Sequence, residues 1–276
     1  MNECFGKKFV LNGIIETSDL FDNTLVYEGD SVYEVIRMIK GSPVFFNDHM
    51  ERLSTSLRLQ KKKPLVTVEK IRQDIVNLSK TEKKKEINLK IVFNYNKGEA
   101  NYLLYFIESI YPTEEQYLNG VKGILFYAER KDPASKVINH RLRSSIYQKL
   151  ILEGAYEALL VNEKGEITEG SRSNMFFLKK DILYTAPEEM ILSGITRKHI
   201  LEICSEKGIE VRMKTVKAAK INEYDAVFMT GTSPMVLPFN SIDGKQFKTR
   251  MPVVESLRRL YFERAEASIA GFRNGK

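Results

Sequence analysis

Cysteine and histidine are scarce in this sequence of 276 residues, and it contains no long apolar run. The two cysteines, Cys4 and Cys204, are too few for a disulfide framework, which favours a reducing, cytoplasmic environment. Neither cysteine has a second ligand at the spacing of a metal site, and histidine occurs only three times, so we expect no bound metal. An apolar run from Tyr102 to Ile107 is far shorter than the roughly 18 residues of a membrane helix, so we expect a buried strand there and no membrane association.

The net charge of +7 comes largely from lysine runs at 61–63 and 83–85. We interpret these runs as solvated helix ends and turns, because they flank a predicted helix. A nucleic-acid surface would interleave aromatic or arginine side chains with the lysines, and these runs contain none. We therefore expect no nucleic-acid partner, whereas an anionic cofactor and an acidic substrate would suit a basic protein.

The first part of the chain mixes strand and helix patterns. The pair Asn12-Gly13 predicts a hairpin turn, and Asn47 and Thr67 are predicted to cap two helices with apolar residues at helical spacing. Strands are predicted over 33–39, 43–46, 87–93 and 102–107. Polar residues around Pro112 predict a domain boundary, with a first domain at 1–112, a linker at 113–120 and a second domain at 121–276.

The second domain also reads as α+β. Strands are predicted over 121–128, 156–161, 166–168, 174–178, 182–185, 209–213, 225–230 and 235–239. Apolar residues at four-residue spacing, from Ile138 to Leu150, predict a helix that Gly154 ends. A second helix is predicted from Thr196 to Gly208, and a terminal helix follows Pro252.

Three separated segments carry groups suited to one kind of chemistry. Lys136 lies before a predicted helix among small and apolar residues, where partial desolvation lowers a lysine pKa and makes the amine a nucleophile for an aldehyde. Glu169 follows a predicted strand, where a buried carboxylate would hold a protonated pyridine nitrogen. Gly194-Ile195-Thr196 places backbone amides and a hydroxyl at a helix start, an anion site suited to phosphate. Together, in this order, they predict pyridoxal phosphate (PLP) as cofactor.

Each segment also has an ordinary structural interpretation. Lys136 is then a surface lysine, Glu169 pairs with Arg172 in solvent, and Thr196 only caps its helix. The turn Gly231-Thr232-Ser233 offers further hydroxyls and amides for the same phosphate. Arg52 would be a charged partner of the phosphate, or a surface arginine that pairs with Asp48.

The chain resembles the fold-type IV PLP enzymes, the family of branched-chain aminotransferases, D-amino-acid aminotransferase and aminodeoxychorismate lyase. The resemblance extends from Asn12-Gly13 to Ile242-Asp243-Gly244. The matching blocks are Gly29 to Glu34, Ile36-Arg37, His49 to Leu53, Lys136 to Asn139, Tyr156 to Leu160, Glu169 to Asn174, Gly194 to Arg197 and Gly231-Thr232. The resemblance implies two α+β domains with PLP in the cleft between them, and a homodimer in which the partner's small domain completes the site.

The same resemblance implies roles for individual residues. Lys136 matches the Schiff-base lysine that also moves a proton between the substrate and the cofactor, and Glu169 matches the carboxylate at the pyridine nitrogen. The remaining cofactor-binding positions are Arg52, Ile195 through its backbone amide, Thr196 and Thr232, to which we add Ser173 and Asn174. Tyr33 matches an aromatic residue of the substrate pocket, and we add Val35 on the same predicted strand, Lys90, Tyr95 and Ser233 as substrate-binding positions.

Substrate recognition departs from the family pattern. The usual aromatic residue before the Gly-Asp pair is replaced by Glu28, with Tyr27 before it, and His140 stands where some members have tyrosine. Aminotransferases often place an arginine on the strand and loop 89–98 to bind a substrate carboxylate, and this chain offers Lys90 and Lys97 there. The catalytic residues therefore match the family, whereas the substrate residues match no single subfamily.

The resemblance predicts an aminotransferase that moves an amino group between an amino acid and a 2-keto acid. The sequence Glu169-Gly170-Ser171 is more typical of aminotransferases than of the lyase. The alternative is a 4-amino-4-deoxychorismate lyase, which releases pyruvate by elimination. A non-enzymatic homologue is a third possibility, against which the intact Lys136 and Glu169 argue.

Overall fold

The chain divides into two compact units in the computed structural model, which describes residues 2–84, 86–130, 133–138 and 140–275. Unit 1 comprises Met1–Ile110, Ser135–Ile138 and Arg264–Lys276, and unit 2 comprises Tyr111–Ala134 and Asn139–Glu263. Segments 135–138 and 264–276 belong with the N-terminal unit, and the chain passes into unit 2 at Tyr111. Lys85 of the second lysine run, Asn139 of the Lys136 block and the side chain of His140 lie outside the described residues.

Unit 1 is built on an antiparallel sheet. Its strands are β1 (Lys8–Leu11), β2 (Ile14–Thr17), β3 (Asp30–Ile39), β4 (Ser42–Pro43), β5 (Glu86–Asn96) and β6 (Glu99–Ile107), and its helices are α1 (Thr24–Tyr27), α2 (Phe46–Leu59) and α3 (Val68–Ser79). Within the described residues the six strands follow the order β2-β1-β6-β5-β3-β4. One face buries apolar side chains of α2 and α3, such as Leu53 and Ile75. The opposite face carries a second cluster that includes Tyr33, Val92 and Tyr105.

Local sequence signals explain several boundaries of unit 1. Leu11 pairs with Ile14 across Asn12 and Gly13, both at positive φ, which confirms the predicted hairpin. The Thr67 side chain accepts a hydrogen bond from the amide of Lys70 at 3.2 Å, which confirms the predicted cap of α3.

The start of α2 differs from the prediction. The predicted strand over 43–46 ends at Pro43, and α2 begins at Phe46, so Asn47 lies inside the helix and does not cap it. Phe45 holds the cap position with φ of 52°, a left-handed conformation that turns the chain from the strand into the helix. Burial of Phe45 and Phe46 stabilises this turn, because both rings are less than a tenth exposed.

Unit 2 is built on a larger sheet. Its strands are β7 (Val121–Tyr127), β8 (Glu157–Val161), β9 (Glu166–Gly170), β10 (Asn174–Lys179), β11 (Ile182–Thr185), β12 (Val211–Met213), β13 (Val216–Lys217), β14 (Ala226–Gly231), β15 (Met235–Ile242) and β16 (Lys245–Gln246). Its helices are α4 (Glu114–Asn119), α5 (His140–Glu153) and α6 (Ile195–Glu206), and α7 (Pro252–Arg273) crosses the boundary between the units. In the described part of the chain these strands follow the order β12-β11-β10-β14-β15-β7-β8-β9-β13, with β16 on β15.

The segment predicted as a linker contains helix α4, whose capping box between Thr113 and Gln116 is a signal that the sequence analysis missed. One prediction for unit 2 was wrong in detail. Ile138 lies before α5, in unit 1, so the apolar stripe of α5 consists of Leu142, Ile146 and Leu150. In the part of the chain that the structure describes, no helix is long and apolar enough to cross a membrane.

Candidate active site

Lys136 is held against β3 and α2 within unit 1. Val137 forms an antiparallel bridge with Val32, and the amide of Tyr33 donates a hydrogen bond to the Lys136 carbonyl at 3.1 Å. The amide of Lys136 itself donates to the hydroxyl of Ser56, a fully buried residue of α2, at 3.3 Å. The Lys136 side chain extends over the Tyr33 ring, with Nζ 4.9 Å from its centroid. Lys136 is thus a fixed, half-buried amine, in contrast to an ordinary surface lysine.

A buried ionic network lies on the opposite face of β3. Glu34 is fully buried and accepts two hydrogen bonds from Arg52, from Nε at 2.8 Å and from Nη2 at 2.7 Å. Nδ1 of His49 lies 2.8 Å from Oε2 of the same carboxylate. Sequence reasoning assigned no role to Glu34 or His49, although His49 and Arg52 stand three residues apart on one side of α2. The network fixes the direction of the Arg52 guanidinium.

The charges in this network follow from their surroundings. Burial alone raises the pKa of the Glu34 carboxyl, but the Arg52 guanidinium and the hydrogen bonds from Arg52 and His49 outweigh it and hold that pKa well below its usual range. Burial lowers the pKa of His49 against the opposing effect of Glu34, and the charges of Arg52 and Lys136 lower it further. His49 is therefore neutral at neutral pH, and its Nδ1–H donates to the ionised Glu34.

The predicted substrate residues of unit 1 divide between the two faces of its sheet. Val35 lies opposite Lys90 in the β3–β5 pair, and Nζ of Lys90 lies 5.3 Å from the Tyr33 ring centroid. These three residues therefore share one face. Tyr95 lies against the apolar cluster of the other face, and its hydroxyl donates to the carbonyl of Lys63.

Glu169 is a buried carboxylate in unit 2, with 3% of the residue exposed, so it is not a solvated strand-end residue. Its Oε2 accepts a hydrogen bond from the amide of Leu192 at 3.2 Å, and Nη1 of Arg130 lies 3.4 Å from its Oε1. Arg172 donates to the carbonyl of Tyr156 at 3.2 Å. The position of Glu169 is thus set by the loop before α6.

The same loop is held by Asn174. The Asn174 side-chain amide donates to the Leu192 carbonyl at 2.9 Å. A Cβ atom at position 194 would lie only 1.9 Å from Oδ1 of the same side chain. Only glycine fits at position 194 without displacing this side chain. Glu169, Asn174 and the start of α6 are therefore joined through 192–194, a loop to which sequence reasoning gave no role before Gly194.

The turn after Glu169 is fixed by a second buried carboxylate, Glu157. Its Oε1 accepts hydrogen bonds from the amide and hydroxyl of Ser171, and its Oε2 accepts one from the hydroxyl of Ser173 at 2.7 Å. The Ser173 hydroxyl thus stabilises the turn after Glu169. Sequence analysis placed Glu157 in a predicted strand and gave it no role of its own. Its hydrogen-bond partners lie 14 and 16 residues further along the chain, so no local pattern connects them.

The start of α6 presents its first amides without a side-chain cap from the described residues. The first intrahelical bond joins the amide of Lys198 to the carbonyl of Gly194 at 2.9 Å, which leaves the amides of Ile195 and Thr196 among those that lack an intrahelical acceptor. The Thr196 hydroxyl lies 3.1 Å from that of Tyr261. Capping by Thr196, the ordinary interpretation, is wrong, because Gly194 holds the cap position.

Thr232 and Ser233 lie in the turn between β14 and β15, within the same unit. The hydroxyl of Tyr117 donates to the Pro234 carbonyl of this turn at 3.1 Å. Among the described residues, no group of three or more histidine, cysteine, aspartate or glutamate side chains is arranged to hold a metal ion.

Comparisons with known proteins identify the family. The sequence profile of the family described as Amino-transferase class IV matches residues 31–242. A D-alanine aminotransferase from Bacillus licheniformis is 31% identical over 240 residues, which cover 81% of this chain and 83% of that protein. The chain therefore belongs to the class IV aminotransferase family, and its cofactor is pyridoxal phosphate, as the sequence predicted.

Solved structures share the fold. The branched-chain aminotransferase from Thermoproteus uzoniensis with norvaline superimposes with a TM-score of 0.84 at 22% identity, covering 97% of each chain. A putative 4-amino-4-deoxychorismate lyase from Legionella pneumophila gives a TM-score of 0.77 at 22% identity, covering 89% of this chain and 94% of that one. These likenesses confirm the predicted fold class. The fold by itself is shared by transferase and lyase.

The donor groups present are those that PLP requires. Unit 1 contains a fixed amine, Lys136. Unit 2 contains a buried carboxylate, Glu169, and a helix start whose first amides have no side-chain cap among the described residues. Because loop 192–194 ties Glu169 to that helix start, the carboxylate and the anion-binding amides of unit 2 are held together.

Proposed function

We propose that this enzyme transfers amino groups between an amino acid and a 2-keto acid, with Lys136 as the covalent attachment point and proton carrier. The observation that supports it most strongly is the fixation of Lys136 by β3 and Ser56, since a general base must be positioned to within hydrogen-bond reach of its proton. Nζ of Lys136 removes the proton from the substrate Cα and later delivers a proton on the same side. The Tyr33 ring lies against this amine, with its centroid 4.9 Å from Nζ.

The residues that would hold PLP follow from their groups. When bound, PLP supplies an aldehyde that bonds to amines and a ring that accepts electron density from the substrate. We assign Glu169 to the ring nitrogen, and the amides of Ile195 and Thr196 with the Thr196 and Thr232 hydroxyls to the phosphate. Arg52 is assigned to the phosphate as a cation whose orientation Glu34 sets. Asn174 and Ser173 act indirectly, by holding the loop and the turn that carry these groups.

A variant of Lys136 tests this function. Lys136→Ala should bind PLP without covalent attachment and lose amino transfer by at least about a thousandfold, because one residue performs both attachment and proton transfer. Keto-acid formation from a panel of L- and D-amino acids measures this loss. Lys248→Ala, which removes an exposed lysine of unit 2, should keep full activity. Retained turnover in Lys136→Ala would refute the assignment.

The same panel separates the transferase from the lyase. A transferase forms its keto acid only in stoichiometry with an amino acceptor, whereas a 4-amino-4-deoxychorismate lyase releases pyruvate without one. The similarity to the B. licheniformis D-alanine aminotransferase supports amino transfer over the lyase reaction. Pyruvate release from aminodeoxychorismate, with no response to any amino acid, would favour the lyase.

We also propose a homodimer in the cytoplasm. Apolar side chains on α5 support the dimer: Tyr147 and Ile151, on one side of the helix, are 65% and 64% exposed, and Leu152 is 79% exposed. The location is supported by two cysteines, Cys4 and Cys204, that are both free thiols. Light scattering should give twice the mass of one chain, and a monomer at micromolar concentration would contradict the dimer.

A further inference from the structure

A buried lysine pairs with a glutamate on the face of the unit 1 sheet that carries Tyr33. Lys90 of β5 is 1% exposed, and its Nζ lies 2.6 Å from Oε1 of Glu3. Oε2 of Glu3 accepts a hydrogen bond from the hydroxyl of Tyr105 at 2.9 Å. Burial would raise the pKa of Glu3, but the charge and hydrogen bond of Lys90 hold that pKa below its usual value. Glu3 is therefore ionised at neutral pH.

Aromatic rings surround the ammonium group and connect it to Lys136. Nζ of Lys90 lies 5.3 Å from the centroid of Tyr33, 5.7 Å from that of Tyr27 and 5.9 Å from that of Tyr105. Nζ of Lys136 lies 4.9 Å from the same Tyr33 ring. The Tyr33 ring is therefore a neighbour of both amines, the candidate reactive amine of Lys136 and the buried amine of Lys90.

Glu3 is the outer and replaceable member of the pair. Its side chain is 21% exposed, against 1% for Lys90. Two hydrogen bonds hold the segment that carries Glu3. The amide of Glu3 donates to the Asn23 side chain at 3.1 Å, and the amide of Phe5 donates to the Phe106 carbonyl at 2.8 Å. A buried ammonium requires a counter-ion, and the fold supplies one from its own N-terminal segment.

We propose that Glu3 determines specificity: it neutralises Lys90 and thereby excludes amino donors that carry a second carboxylate. A substrate carboxylate near Tyr33 meets the Glu3 carboxylate and a lysine whose charge is already compensated. A neutral side chain meets the apolar and aromatic surface of Tyr33 and Val35. The preferred donors are thus amino acids with uncharged side chains, an inference that rests on the proposed transfer function.

Replacement of Glu3 should convert this preference. In PLP-loaded Glu3→Ala, the substrate carboxylate takes the place of Glu3 on Lys90. The ratio of kcat/KM for glutamate to that for alanine, measured with both enantiomers, should rise at least about tenfold, the effect of one charge-assisted hydrogen bond. Glu99→Ala removes an exposed glutamate at the start of β6 and should leave the ratio unchanged. Adding Lys90→Met to Glu3→Ala should abolish the gain.

A second measurement covers variants that fold poorly. Glu3→Gln keeps the shape of the side chain and removes its charge, and glutarate, a dicarboxylate that cannot react, should raise its melting temperature more than that of the wild type. An unchanged ratio in Glu3→Ala together with an unchanged glutarate shift in Glu3→Gln would overturn the proposal, as would a wild type that prefers glutamate. Absence of transfer from every donor would instead refute the proposed function, and the glutarate shift would still test the Lys90 site.

Discussion

At the scale of single residues, the buried carboxylate of Glu34 binds the Arg52 guanidinium and the His49 ring. Glu34→Gln leaves Arg52 buried without its counter-ion, so we expect a loss of about 3–5 kcal/mol in the free energy of unfolding, measured by urea denaturation. Glu263→Gln, which breaks an exposed ion pair with Arg259, should cost less than about 1 kcal/mol. Equal effects of the two substitutions would show that the Glu34 network does not stabilise unit 1.

The same network predicts a dependence of stability on pH. The pKa values of Glu34 and His49 are both lower in the folded than in the unfolded chain, so the unfolded chain binds more protons. The free energy of unfolding therefore decreases as the pH is lowered. The contribution of His49 declines as pH falls below 6.5, and that of Glu34 declines below 4.5.

Urea titrations at pH 8 to 4 measure this dependence. His49→Asn should reduce the slope between pH 6.5 and 4.5. A wild-type unfolding free energy that stays constant across this window would contradict the proposed neutral state of His49.

At the scale of elements, the start of α6 depends on the fit between Gly194 and Asn174. A Cβ at position 194 would lie 1.9 Å from Asn174 Oδ1, so Gly194→Ala must displace that side chain from Leu192. We expect a loss of about 1–3 kcal/mol in stability together with weaker PLP binding, measured by denaturation and by cofactor titration.

Gly271→Ala provides the matched control. Its Cβ meets no described heavy atom within 4 Å, and the residue lies in α7, so the substitution should stabilise the protein by up to about 1 kcal/mol. Effects of the same sign at both glycines would contradict the close approach at Gly194.

At the scale of the whole molecule, the sequence was informative where function rests on one residue or a short motif. Lys136, Glu169 and Gly194 were singled out from residue type, spacing and neighbouring elements, and the family comparison confirms the cofactor they predicted. The hairpin at Asn12-Gly13 was predictable because that pair favours one turn.

The remaining features depend on contacts between residues far apart in the chain. The attachment of Lys136 to Ser56 joins positions 80 residues apart, and the pairing of Glu3 with Lys90 joins positions 87 apart. No periodicity records such contacts. Helix α2 began earlier than predicted for a different reason, because burial of two aromatic rings outweighed the capping preference of Asn47.

Covalent attachment of PLP to Lys136 is the central claim, and reductive trapping tests it most directly. The PLP-loaded protein is treated with borohydride, digested and mapped by mass spectrometry. We expect one phosphopyridoxyl group per chain, on the peptide that contains Lys136. A label on Lys90 or on any other lysine, or no label at all, would contradict the assignment of Lys136 as the residue that carries the chemistry.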